Sequence, residues 1–133
     1  MMDTGLLIIR IVVGLLFVGH GAQKLFGMFG GYGPKGTGGW MESVGIKPGV
    51  AMAVIAGLME LIGGALFAVG LLTPVAAVLI ALAMIGAIKV HAPNGIWSTA
   101  NGYEYPLVML AIAIGVAFAG AGAYSLDSAL NLF

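Results

Sequence analysis

An all-α, polytopic membrane protein, folded as an antiparallel bundle of four transmembrane helices, is the fold class that the sequence predicts. Three observations carry that expectation. Charged residues make up 8% of the chain, against roughly 25% in soluble domains, too few to solvate a globular surface. Hydrophobic residues make up 61%, and the mean hydropathy is +1.12. Four apolar segments approach the about 20 residues that a helix needs to cross a bilayer. None alternates with the period of a barrel strand, and backbone in lipid must satisfy its own hydrogen bonds, which leaves helices.

Residues 1–133 read as a single transmembrane domain with helices at about 5–26, 50–72, 74–91 and 105–122. The first is read as a retained span. Asp3 stands where a leader would carry basic residues, and Arg10 interrupts the early apolar run. Residues 27–48 then read as a glycine-rich loop, with Pro34 fixing a turn and Phe26, Phe29, Tyr32 and Trp40 studding it. Leu72-Thr73-Pro74 makes a tight reversal between the second and third helices, Pro74 suiting a first helical turn. The tail from residue 123 to 133 is expected along the interface, with Asp127 outward.

Small residues recur at four-residue spacing in Ala53/Gly57, Gly64/Ala68 and Ala111/Gly115/Ala119. That spacing lets helix backbones approach closely in lipid, so a tight bundle is expected, and such faces are compatible with a homo-oligomer. Lys24, Lys35, Lys47 and Lys89 fall at the side of loops 27–48 and 92–104, and Arg10 at the side of the termini. By the positive-inside rule both loops are then cytoplasmic.

Several chemistries are excluded by composition. The chain has no cysteine, so it forms no disulfide, thiolate nucleophile or cysteine-bound Fe–S cluster. No metal site is expected. The formal net charge is zero, which gives no basic surface for nucleic acid. Membrane lipid is the partner that composition itself implies.

Ionisable groups within a membrane cost roughly 2.5 kcal/mol or more and each needs a reason. On the first helix Arg10, Phe17, His20, Gly21 and Lys24 share an arc of about 100°, which should face the bundle. The bland reading has Lys24 snorkelling to the interface and His20 as a core residue. Glu60 sits near mid-membrane among Ala53, Ala56, Gly57 and Gly64. It reads either as the partner of Arg10 in a structural ion pair or as a proton-carrying or ligand-anchoring carboxylate. Lys89 and His91 end the third helix, and Tyr103-Glu104-Tyr105-Pro106 opens the fourth. Antiparallel threading brings His20, Lys24, Glu42, Lys89, His91 and Glu104 to one membrane face, beside Trp40, Tyr103 and Tyr105. Polar groups converging under an aromatic flap suit an amphiphilic ring.

The segments HGAQKLFG (from His20), the glycine-rich run to Met41-Glu42, MELIGGALFAVGLLTP around Glu60, and the His91 and Tyr-Glu-Tyr-Pro segments together resemble the DoxX family. The similarity spans nearly the whole chain. It implies a small bacterial four-helix protein of the cytoplasmic (inner) membrane. Its relatives are linked to quinol oxidase and thiosulfate:quinone oxidation, to quinone or catechol resistance, or to assemblies that handle oxidative stress. The motif positions carried over are Arg10, His20, Gln23, Lys24, Glu42, Glu60, His91 and Glu104, joined by Trp40 and Tyr103 as expected ligand contacts.

Two functions compete. In the first, the chain is the quinone-interacting part of a redox system. His20 or His91 bonds a quinone carbonyl, Lys24 stabilises developing charge, and Glu60 or Glu104 relays the proton, with Glu60 and His20 the catalytic candidates. A partner, such as a soluble oxidoreductase, must then donate electrons. In the second, the chain is a non-catalytic anchor or assembly subunit that recruits that oxidoreductase through its loops. A b-type haem held by His20 and His91 is disfavoured by small-residue packing.

Overall fold

A computed structural model of the protein describes residues 1–132. Phe133, the last residue of the expected domain and tail, lies outside the described residues. The fold is all-α. Helix α1 spans Met2–Phe26, α2 Gly33–Ser43, α3 Gly49–Val69, α4 Thr73–His91, α5 Glu104–Ala119 and α6 Leu126–Ala129. Helices α1, α3 and α4 are long and apolar enough to cross a membrane, and the chain is a multi-pass membrane protein. Apolar α5, at 16 residues, extends about 24 Å at 1.5 Å per residue, short of a bilayer core of about 30 Å.

Glycine sets the closest packing. Helices α1 and α3 run in opposite directions with Gly14 against Gly64 and Gly21 against Gly57. A Cβ on Gly14 would lie 2.6 Å from the Gly64 carbonyl oxygen, and one on Gly21 2.7 Å from that of Gly57. Any larger side chain would push the two backbones apart. Phe17, Phe67 and Ile80 fill the core beside this seam. Outward, Ile8, Leu15, Leu58, Ile62, Val78 and Ile85 are exposed, as side chains solvated by lipid must be.

The Ala111/Gly115/Ala119 stripe of α5 is not used in this way. Space is open around Gly115, and α5 instead buries Pro106, Met109, Ala113 and Val116, a helical stripe on its other side.

Residues 27–48, expected as a loop, contain helix α2. Glycine disfavours helix by about 1 kcal/mol per residue relative to alanine, so local preference alone would not form it. Tertiary contact does. A Cβ on Gly38 would sit 2.6 Å from the Val50 nitrogen, a closeness that only glycine permits, and Met41 is buried beneath it. Pro34 stands in the first turn, where its missing N–H costs nothing. Glu42 then accepts a hydrogen bond from the Gly49 N–H at 3.0 Å, so α2 caps α3.

Three ends differ from expectation. Helix α1 begins at Met2 and not near Gly5. Helix α3 stops at Val69, because Gly70 takes a left-handed conformation (φ 68°) and the Leu71 N–H turns back to the Leu66 carbonyl. Helix α5 stops at Ala119 before Gly120, at φ 85°.

Asp127, expected to point outward, is buried. Its carboxylate accepts from the Leu72 N–H at 2.6 Å and the Thr73 N–H at 2.9 Å. The residue that precedes α4 is a leucine with no side chain to cap it, and unpaired N–H groups at a helix start in lipid need an acceptor. Asp127 supplies it from 55 residues away.

Candidate functional site

Side chains on a helix lean toward its N-terminus, and this lean decides where the charges of α1 go. Lys24, in the last turn, leans back into the bundle. Its Nζ lies 2.7 Å from Oε1 of Glu60 at the middle of α3. Lys24 therefore does not snorkel to the interface. Glu60 is 4% exposed, with Gly57, Gly63 and Gly64 buried around it, so its charge is balanced by an ammonium group and not by water.

Arg10 leans in the same N-terminal direction, which from its position nearer the start of α1 carries it away from Glu60, and the two do not pair. Its guanidinium donates to the carbonyls of Ala121, Tyr124 (2.8 Å) and Ala68 (3.4 Å). At 1% exposure, Arg10 ties the chain after α5 to the end of α3. Of the two readings of Glu60, the structural pair with Arg10 does not form, because depth along the helices alone had placed the two residues together. The arginine side chain extends away from the carboxylate, along its own helix.

Beside the Lys24–Glu60 pair, three further side chains form a chain of hydrogen bonds. His20 Nδ1 lies 3.2 Å from Gln23 Oε1, and His20 Nε2 lies 3.3 Å from the Tyr105 hydroxyl. Gln23 Nε2 donates to the Phe29 carbonyl at 3.2 Å. The turn after α1 makes that last bond reachable. Gly27 adopts φ 69°, and a Cβ on Gly31 would come 2.5 Å from the Gln23 main chain, so the glycine-rich segment folds directly back onto α1.

These groups border a cavity of about 350 Å³, within the range of small-molecule sites. Phe17, Met52, Ile55, Met59, Leu82 and Met84 supply apolar wall, and His20, Lys24, Glu60 and Tyr105 supply polar atoms. Trp40 from α2 and His91 from α4 join the lining, their rings 6.3 Å apart and tilted by 35°. The tight bundle expected from small-residue spacing thus holds at the α1–α3 seam and opens beside it. Among the described residues no group of three or more His, Asp or Glu side chains could hold a metal ion.

The model of the DoxX family matches residues 5–92, from α1 through α4. The chain belongs to the DoxX family. An uncharacterized membrane protein of Mycobacterium tuberculosis is 34% identical, the match covering 92% of this chain and 79% of that one. A Bacillus subtilis protein named "Putative oxidoreductase CatD" is also 34% identical, over 94% of this chain and 86% of its own. A Haemophilus influenzae protein without a described function is 31% identical over 90% and 86%. No solved structure matches the chain.

Not every position expected at the site of this DoxX protein reaches it. His20, Lys24, Trp40, Glu60 and His91 line the cavity, and Gln23 stands behind His20. Arg10 lies at the opposite end of α1, held by backbone carbonyls. Glu42 caps α3. Glu104 accepts from the Ser98 N–H at 3.0 Å and holds the loop before α5. Tyr103 precedes α5, its N–H bonded to the Gly95 carbonyl. Lys89 is exposed on α4, away from the cavity lining.

Tyr105 carries the hydroxyl that reaches the site, and the sequence reading set it only beside the polar cluster. A signal for it exists. The apolar stripe Met109, Ala113 and Val116, followed back by one turn, lands on Tyr105 and Pro106, whereas Tyr103 is about 200° from Tyr105 around the helix.

Proposed function

We propose that this DoxX protein binds a quinone or its hydroquinone between its helices, as the membrane component of a redox or oxidative-stress system. The observation that carries this reading is the Lys24–Glu60 ion pair, 2.7 Å long and set at the wall of an apolar cavity of about 350 Å³. A buried ion pair contributes little net stability, since desolvation offsets the Coulombic gain. Held at a cavity wall, it supplies a mobile proton acceptor and a cationic donor to whatever occupies the space. The ring chemistry brought by a quinone is two-electron, two-proton interconversion with its hydroquinone. The residues of the chain bind, orient and handle protons. Lys24 donates to a ring oxygen, Glu60 accepts or returns a proton, and His20 orients the ring edge. Phe17, Trp40 and the methionines enclose its faces. Electrons come from a partner, a soluble oxidoreductase being the class that the name of the Bacillus subtilis relative supports.

In this reading α1, α3, α4 and α5 are four antiparallel spans in the cytoplasmic membrane, with loops 27–48 and 92–104 on the cytoplasmic side, where the lysines gather. The open face around Gly115 is the surface for self-association where an oligomer forms.

The test is extraction. Protein purified in mild detergent is expected to carry stoichiometric quinone, identified by mass spectrometry and lost from a folded Glu60→Gln variant. Quinone-free protein that still captures an oxidoreductase through its loops would replace this function with the anchor role.

A further inference from the structure

The hydrogen bonds behind His20 fix which form of a ring ligand it accepts. A backbone carbonyl can only accept, so the end of Gln23 that faces the Phe29 oxygen at 3.2 Å must be its NH2 group. The other end, the amide oxygen, then faces His20 Nδ1 at 3.2 Å. An amide oxygen also only accepts, so Nδ1 carries the hydrogen. In the neutral imidazole the second nitrogen, Nε2, is left as a bare acceptor. Nε2 is the atom on the Tyr105 side, where the hydroxyl donates across 3.3 Å, at the long end for a hydrogen bond and therefore easily exchanged.

His91 repeats the pattern. Its Nδ1 lies 3.0 Å from the Asn101 carbonyl oxygen, which again forces the hydrogen onto Nδ1 and leaves Nε2 as the acceptor. Both histidines of the chain line the same cavity, and in both the backbone or a backbone-anchored amide has used the donor.

We infer that the cavity selects a phenolic O–H donor, the hydroquinone form of its ligand, through the acceptor nitrogens of His20 and His91. The inference rests on the proposed quinone site and reverses the expectation that a histidine there donates to a quinone carbonyl. A quinone oxygen facing a bare imidazole nitrogen sets acceptor against acceptor and leaves both unpaired, whereas a hydroxyl satisfies both. Sites built to bond a hydroxyl discriminate strongly against analogues that lack it. Lys24 still offers a donor to a carbonyl, so the quinone is weakened and not excluded.

Equilibrium dialysis of the full chain in lipid nanodiscs, with oxygen excluded, separates the possibilities. The probes are a tail-less dimethoxy-methyl-benzoquinone and its hydroquinone. The hydroquinone is expected to bind at least about tenfold more tightly, a difference worth 1.4 kcal/mol. Gln23→Leu, which frees Nδ1 without touching the cavity wall, should retain quinone binding and reduce the preference to under about threefold. Equal affinities, or tighter binding of the quinone, would overturn the inference and leave the quinone site standing. No binding of either form would sink the site itself. Nitrogen-15 NMR of the histidine rings provides a readout that needs no variant. Nε2 of His20 is expected as the unprotonated nitrogen, and a protonated Nε2 in the neutral ring would refute the selection.

Discussion

The two ends of helix α1 use the same expensive ingredient differently. Near the N-terminal end, Arg10, Asp3 and Asp127 are all spent on backbone groups: Arg10 on three carbonyls, Asp3 on the Ala123 N–H, and Asp127 on two N–H groups that start α4. At the other end, Lys24 and Glu60 face each other, and His20, Gln23 and Tyr105 bond mostly side chain to side chain around a cavity. Backbone partners cannot move without unfolding, whereas side-chain partners can be exchanged for a ligand. The difference separates polar residues that hold the fold from polar residues free to act, which composition and depth in the membrane cannot do.

The largest effect is expected at the holding end. Arg10→Met removes the donor to carbonyls of Ala121 and Tyr124 and leaves them without it in a lipid-facing fold. Each unsatisfied group costs about 1–3 kcal/mol, so a loss of roughly 3 kcal/mol or more is expected in reversible unfolding from detergent. The fraction that folds should bind its ligand with unchanged affinity. A folded, stable Arg10→Met protein that had lost binding would erase the distinction between the two ends.

A smaller effect on stability and a larger one on binding are expected at the other end. Glu60→Gln leaves the ammonium of Lys24, 23% exposed at its side chain, without its counter-charge. Removing one partner of a fully buried pair costs about 3–5 kcal/mol; this partial exposure should bring the loss to about 2 kcal/mol. The double variant Lys24→Met/Glu60→Leu should recover most of that stability, because apolar replacements of a buried pair are often neutral or better. Its ligand binding should stay lost. Recovery of both would mean that the pair is structural after all, as the Arg10 interactions are.

This division was only half legible in the sequence. Four apolar segments, the polar arc of α1 and the placement of Glu60 all follow from period and composition, because lipid imposes one backbone solution. The partner of Glu60 does not. Arg10 and Lys24 lie on the same arc, and choosing between them needs the direction in which each side chain leans and the register of α1 on α3, which Gly14, Gly21, Gly57 and Gly64 set. Helix α2 was hidden because its glycines argue against helix locally, and the close approach of Gly38 to Gly49 and Val50 leaves no sequence signal. Asp127 was hidden for a similar reason: a cap supplied from 55 residues away leaves no spacing signal. Leu72 before Thr73-Pro74 was the available hint, a helix start in lipid with no capping side chain of its own.

Asp127→Asn sharpens the comparison at lower cost. Asparagine keeps one acceptor oxygen and loses the second, together with the negative charge that favours a helix N-terminus. Loss of an N-terminal cap typically costs about 1 kcal/mol, and a decrease of that size is expected in thermal unfolding, with the cavity and its binding unaltered. A loss as large as that of Arg10→Met would show that the tail behaves as one cooperative unit with the arginine.

The smallest change in stability, and the most informative for the acting end, is expected from Tyr105→Phe. The hydroxyl makes one long bond, 3.3 Å, to His20 Nε2, so its removal should cost about 0.5 kcal/mol or less, the low end for a hydrogen bond. The edge-on packing of the ring against His20, at 6.1 Å between centroids, is retained. The imidazole nitrogen then stands without its internal donor. A ligand hydroxyl no longer has to displace tyrosine to reach it, so hydroquinone affinity should rise about two- to fivefold while quinone affinity stays nearly constant. If both affinities fall together, Tyr105 is itself a ligand contact and not a placeholder, and the exchangeable bond lies elsewhere in the network. Had the tyrosine been a holding residue like Arg10, stability would fall first and binding only with it.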